Sequence, residues 1–316
     1  MDKPFTPWPS LEAHAKLFIS TQFPGLFFYD YKPHTAEGSG KAASGSNKPV
    51  LILIHGLGDE ADTWRHVIPL LGAEGYRTLA LDLPGFGRSL YSRSSCIRRH
   101  SNAVLELMEN LSETADEIVL VGSSMGAVCA EAAALKYENR RPKKNITIKA
   151  LVLIGGCIPI KASISPQLLA MALPFLGKKW YRSFRNNPQA AWESLFPYYK
   201  DIYSLSRSDQ EFLQQRVMDR VLSLSQERGY FSSLRSMLFQ GLRSSYYKRI
   251  GAWPGKINLI WGENDAVFPP ASAESFVKLR KDTNTDFTLI SGAGHLPQQE
   301  KPDKTAEAIV SFLKTI

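Results

Sequence analysis

No stretch of this 316-residue chain carries the roughly 18 consecutive apolar residues that a bilayer-spanning helix requires, so a transmembrane anchor is not expected. The N-terminus, Met1 to Ser10, has no uninterrupted apolar core of the kind a secretory signal needs. Cysteine is scarce. Cys96, Cys129 and Cys157 cannot all pair and show no metal-ligand spacing, which points to a reducing compartment and makes the cytoplasm the expected location. Neither a metal nor a cofactor is expected. With 44% hydrophobic and 22% charged residues, the chain is neither disordered nor fibrous. Acidic residues are thin in one region: from Cys157 to Lys256 there are 15 Lys and Arg against 6 Asp and Glu, a surplus that accounts for the whole net charge of +8 and leaves the rest of the chain close to neutral. Such a surplus is either a solvated helical face or a surface for an anionic partner. No nucleic-acid motif accompanies it, and aromatics are not interleaved with the basic residues as a base-stacking platform requires. Nucleic acid is therefore not an expected partner.

What the chain does contain is a rhythm of short apolar runs and helical patterns, the signature of a mostly parallel sheet with helices on both faces. Lys16–Ser20 and Leu26–Lys32 read as a hairpin turning at Phe23-Pro24-Gly25, and His34–Lys48, rich in Gly, Ser and Ala, as a flexible loop. Val50–Ile54, Thr78–Leu81, Ile118–Val121, Ala150–Ile154, Ile257–Trp261 and Phe287–Ile290 supply six more strands, eight in all. The rhythm breaks between Ile158 and Ala252. There, apolar residues at helical spacing (Phe212, Val217, Val221, Leu224), broken by Pro174, Pro188 and Pro197, predict a helical insertion after the sixth strand. The organisation expected is a core domain over 1–157, a helical cap over 158–252 and the rest of the core over 253–316.

The chemistry begins at Gly122-Ser123-Ser124-Met125-Gly126, a G-x-S-x-G sequence between an apolar run and an alanine-rich helical segment. This is the layout of a nucleophile elbow. A serine on so sharp a turn is held in a strained backbone conformation, and Gly122 and Gly126 remove the side chains that would collide. A serine hydroxyl is a weak nucleophile at neutral pH and needs a base, which in turn needs an orienting acid. Leu259 to Asp265 is a strand running into a loop that ends in a carboxylate, and Ser291 to His295 follows the next strand. One helix and one strand fill the interval, so Asp265 and His295 return to the same sheet edge, where sites of open α/β sheets gather. Glu263 is an alternative acid, but the later position of Asp265 lets the loop turn back toward the histidine. His14, His34, His66 and His100 fall in the N-terminal segment, a linker and helix-like regions. His55-Gly56-Leu57-Gly58 follows the third strand. Its glycines allow close backbone approach, so Leu57 and Met125 are the expected N–H donors to an oxyanion, and His55 shapes the loop. Asp82 and Arg88 read as structural, and Cys129 and Cys157 as buried small apolar residues.

These motifs carry a family resemblance. His55–Gly58 with Trp64 downstream, Leu81–Ser89, the turn at Ser124, the loop Trp261–Pro269 and Gly292–His295 stand in order from Val50 to the C-terminus. The chain resembles the α/β-hydrolase fold proteins, above all the subgroup with a helical cap between strands six and seven. The resemblance implies Ser124 as nucleophile, His295 as base, Asp265 as its orienter, and Leu57 and Met125 as oxyanion donors. It also implies a small-molecule acyl substrate. The family spans esterases, thioesterases, amidases, carbon–carbon bond hydrolases and non-catalytic receptors, among which fold does not choose. A serine at the elbow argues against the branches that place aspartate there, and Met125 stands where the proline iminopeptidase branch has tryptophan. The expected activity is carboxylic ester hydrolysis through an acyl-enzyme. Carbon–carbon hydrolysis of a diketone-like substrate is the alternative, and a binding protein on the same fold is a third reading. The basic cap predicts a preference for anionic acyl substrates that salt would weaken.

Overall fold

A computed structural model describes residues 6–33, 48–90, 95–111, 116–139, 146–156, 172–173, 175–241, 244–280 and 284–316. Eight strands form one open sheet in the order β1-β2-β4-β3-β5-β6-β7-β8. They are β1 (Ala15–Phe18), β2 (Leu26–Tyr31), β3 (Val50–Ile54), β4 (Thr78–Leu81), β5 (Glu117–Ser123), β6 (Thr147–Ile154), β7 (Lys256–Gly262) and β8 (Thr285–Ile290). β1 and β2 form the predicted hairpin, and β2 also pairs antiparallel with β4; every other pairing is parallel. The predicted loop at 34–48 and Cys157 lie outside the described residues, Lys48 excepted.

The central strands read as continuous apolar runs because both faces of the sheet are covered. Alternate residues point to opposite sides. Ile52, Ile54, Leu79 and Leu81 pack against α2 (Ile97–Leu111) and α3 (Met125–Glu138). Leu51, Leu53, Ala80 and Val121 pack against α1 (Val67–Ala73) and the C-terminal helix. The edge strands β1 and β8 are largely exposed, and β8 carries Thr285, Asp286 and Thr288 accordingly.

Between β6 and β7 the described residues form α4 (Leu176–Ser183), α5 (Pro188–Glu193), α6 (Arg207–Leu222), α7 (Leu224–Gly241) and α8 (Ser244–Gly251), joined by short turns and extended connections, with no strand among them. Local signals set the boundaries. Asn187 caps α5 ahead of Pro188, and the Ser206 hydroxyl accepts the Asp209 N–H at the start of α6. The expected stripe holds at Val217 and Val221 but not at Leu224. Ser223 is extended, a new helix begins after it, and Leu224 is exposed. The insertion divides by packing. Tyr181, Phe184, Val217 and Phe231 form a cluster of their own, whereas Leu234, Met237, Leu238, Tyr246 and Ile250 join the cluster beneath the sheet. After β7 come α9 (Ala271–Arg280), the short α10 (Pro297–Glu300) and α11 (Pro302–Leu313).

Candidate active site

Ser124 lies between the end of β5 and the start of α3 with φ 53° and ψ −116°, the one non-glycine residue at positive φ among the described residues. A bulky or branched side chain elsewhere would avoid this region; here the surroundings enforce it. A Cβ on Gly122 would strike the Gly126 carbonyl, and one on Gly126 would strike the carbonyl of Ile54. Both glycines therefore have the steric task that the sequence pattern assigns them.

The residues expected to act together do meet. His295 Nε2 lies 2.9 Å from Ser124 Oγ, and His295 Nδ1 lies 2.8 Å from Asp265 Oδ2. A carboxylate can only accept, so Nδ1 carries the proton and Nε2 is free to accept from the serine hydroxyl. Asp265 is fixed in turn: its Oδ1 accepts the backbone N–H groups of Val267 and Phe268, each at 2.8 Å. The His295 and Asp265 side chains are almost wholly buried. The His295 N–H donates to the Tyr198 carbonyl at 2.9 Å, so the helical insertion helps hold the histidine loop in place. Glu263 turns elsewhere, accepting from Ser291 Oγ at 2.8 Å and from the Gly292 N–H.

The loop after β3 stands beside the serine, a Cβ on Gly56 falling 3.3 Å from Ser124 Cβ. Among the described residues, neither the Leu57 nor the Met125 N–H donates a hydrogen bond. Met125 opens α3, so its N–H is one of the helix-terminal donors without an internal acceptor. His55 is buried, and its ring is committed at both nitrogens: Nδ1 donates to the Gly56 carbonyl at 2.7 Å and Nε2 accepts the Leu83 N–H at 2.9 Å. Desolvation holds its pKa below the usual histidine value, so the neutral form that this pairing needs is also the favoured one. Asp82 is likewise structural. It accepts from Ala61 N–H and pairs with Arg88 at 2.7 Å, joining the loops after β3 and β4.

Above Ser124 and His295 lies a cavity of about 380 Å³. Its walls come from the loop after β3, the acid loop and the helices between β6 and β7, and most of them are aromatic or aliphatic. Phe268 and Tyr198 flank His295, with ring centroids 5.6 and 5.9 Å from the imidazole. Nothing local in the sequence marks these two.

The basic surplus of the insertion is neither a solvated face nor an open anion site where it borders this cavity. Arg216 of α6 pairs with Glu60 at 3.1 Å and Asp62 at 3.2 Å; Arg220 pairs with Asp59 at 3.2 Å and Glu60 at 3.3 Å. In the opposite sense, Arg65 of the core pairs with Asp209 of α6 at 2.6 Å. These ion pairs are buried and bind α6 to the segment after β3. Arg182 and Arg185 meet Glu227 within the insertion. Arg220 is the one lysine or arginine among the described residues of the cavity wall, and it is already paired.

An open, mostly parallel eight-stranded sheet with a Ser-His-Asp hydrogen-bonded chain at its carboxyl edge defines a fold class, and sequence comparison gives the family. A model of the alpha/beta hydrolase family matches residues 51–308, and the chain belongs to that family. It is 27% identical over 279 residues to a 2-hydroxy-6-oxononadienedioate/2-hydroxy-6-oxononatrienedioate hydrolase of Pseudomonas putida, covering 85% of this chain and 89% of that protein. A thermophilic esterase from Thermogutta terrifontis superposes with a TM-score of 0.70 at 21% identity, over 95% of this chain and 98% of that one. The 2-hydroxy-6-oxo-6-phenylhexa-2,4-dienoate hydrolase of Rhodococcus sp. strain RHA1 superposes equally well, at 0.70 and 19% identity, with the same coverage. The two structural likenesses establish the shared fold. Among the described residues, no helix is long and apolar enough to cross a membrane.

Proposed function

We propose that this protein is a serine hydrolase that cleaves a carboxylic ester of a small, uncharged acyl compound. The observation that carries the reading is the chain Ser124–His295–Asp265 at 2.9 and 2.8 Å, with two uncommitted backbone N–H groups beside it. In this mechanism His295 Nε2 takes the proton of Ser124 Oγ as the oxygen attacks the ester carbonyl. The Leu57 and Met125 N–H groups stabilise the resulting oxyanion, and Asp265 stabilises the imidazolium. Collapse expels the alcohol, which receives the proton from His295, and leaves an acyl group on Ser124. His295 then deprotonates a water that attacks the acyl-enzyme, and the carboxylic acid departs. The insertion at 158–252 acts as a cap whose walls select the substrate. We take the cytoplasm as the setting, on the low and odd cysteine number.

Carbon–carbon bond hydrolysis is the second reading, favoured by the name of the Pseudomonas putida relative. That name describes a dicarboxylate, and a site for one needs free cationic groups. The pairing of Arg220 with Asp59 and Glu60 weighs against such a substrate here. Direct competition separates the readings. The enzyme should turn over short-chain aryl esters faster than a vinylogous diketone acid, with both rates abolished in Ser124→Ala. Faster cleavage of the diketone would replace the ester reading with the carbon–carbon one. No turnover of either, together with no labelling of Ser124 by a fluorophosphonate, would leave a binding protein.

A further inference from the structure

Four tyrosines face the cavity, and they divide into two kinds. Tyr181 Oη donates to the Arg220 carbonyl at 3.1 Å, and Tyr199 Oη donates to Gln299 Oε1 at 3.0 Å. Ser194 also spends its hydroxyl on the protein, at the Ala191 carbonyl. Tyr198 and Tyr230 do not. Their rings are well packed: Tyr198 against His295 at 5.9 Å, Tyr230 against Tyr181 at 5.4 Å and Phe231 at 5.3 Å. Among the described residues neither hydroxyl has a protein partner, and both residues line the cavity half-buried. A substrate that fills the cavity displaces the water available to these hydroxyls, and a polar group left there without a partner is costly, so each then calls for a partner on the substrate.

Placement sharpens the point. Tyr198 flanks the histidine, and the Tyr230 ring lies over the loop after β3, 3.1 Å from where a Cβ on Gly58 would fall. Gly58 itself is at φ +70°, so a side chain there would be excluded twice over. The two phenols thus bracket the reacting centre, one on the side of the base and one on the side of the oxyanion loop. Burial pushes both phenols above the usual tyrosine pKa, so they remain protonated and can donate. Beyond Ser124 and His295, the other polar side chains of the wall are Asp59, Ser194, Arg220, Gln226 and Gln299, and the arginine is paired.

We propose that Tyr198 and Tyr230 form a polar subsite that donates hydrogen bonds to a second, uncharged oxygen of the substrate, an ether, hydroxyl or ketone apart from the scissile ester. This rests on reading the cavity as the acyl pocket. It makes the substrate class oxygen-bearing acyl esters rather than plain alkyl ones, with the two tyrosines as specificity-determining residues.

Binding to the Ser124→Ala enzyme tests this without requiring turnover. The ligands are aryl heptanoate and a series in which one acyl methylene at a time is replaced by oxygen. At least one oxygen-bearing member should bind about three- to tenfold tighter than heptanoate, the size of one or two net hydrogen bonds. Tyr198→Phe or Tyr230→Phe, made in the same background, should erase that preference and leave heptanoate binding unchanged. The subsite is refuted if no member outbinds heptanoate, if the preference survives both substitutions, or if heptanoate weakens in parallel. The ester reading is tested separately by the Ser124 enzyme. A preference in binding with no ester hydrolysed removes that reading and keeps the subsite; hydrolysis without preference does the reverse.

Discussion

Asp265 and Glu263 stand two residues apart after the same strand, yet only Asp265 reaches His295. The reason is directional: Asp265 lies where the loop has turned, and backbone N–H groups of Val267 and Phe268 hold one oxygen so that the other faces the imidazole. Asp265→Asn should therefore lower kcat by about three to four orders of magnitude, as loss of the orienting carboxylate does in serine hydrolases generally. Glu263→Gln should leave kcat within a few-fold, since its partners are Ser291 and Gly292; steady-state kinetics of the two variants compares them directly. The Glu60 carboxyl is buried between Arg216 and Arg220, with Asp62 and Arg88 close by, and desolvation raises its pKa from 4.5 to about 7. The folded protein then keeps a proton that the unfolded chain releases between those values. Glu60's contribution to stability is thus present below about pH 4.5 and declines as the pH rises toward 7. Urea unfolding across that range should show the decline in the wild type and a flatter curve in Glu60→Gln. Identical slopes in the two proteins would contradict the assignment.

At the scale of elements, α6 is the link between the insertion and the core. Arg216 and Arg220 reach down to Asp59, Glu60 and Asp62, while Asp209 receives Arg65 from below. Removing one member leaves buried charge without its partner, which costs far more than an exposed pair is worth. Arg216→Met should destabilise the protein by about 3–5 kcal/mol in urea unfolding. A loss under about 1 kcal/mol would mean that the helix is held by its apolar face alone. This element also marks where the sequence stops being informative. The Ser124 turn, the acid loop and the His295 loop are legible because short-range spacing and strand ends dictate them. The α6 pairs join residues such as Arg65 and Asp209 that are 144 positions apart, and nothing near either one signals the other. Charge counting over 157–256 registers the surplus and misses its use, because pairing is a tertiary property. Leu224 fails for a similar reason: its spacing fits the stripe, but the break at Ser223 resets the helix.

Over the whole molecule, the division of labour follows the architecture. The sheet edge brings Ser124, His295 and Asp265 together, and the helical insertion closes a largely apolar cavity over them. With the wall's arginine paired to Asp59, neutral acyl esters should react faster than anionic ones of matched size, with kcat/KM nearly independent of salt. A preference for anionic esters that fades in salt would restore the expectation drawn from the basic surplus. In the proposed mechanism Ser124 forms a covalent acyl intermediate. Intact-protein mass spectrometry after rapid mixing with a short-chain aryl ester tests it most directly. The wild type should gain the mass of one acyl group, located to Ser124 by peptide mapping, and Ser124→Ala should gain none. Steady turnover of the ester with no adduct on Ser124, or an equal adduct in Ser124→Ala, would contradict it.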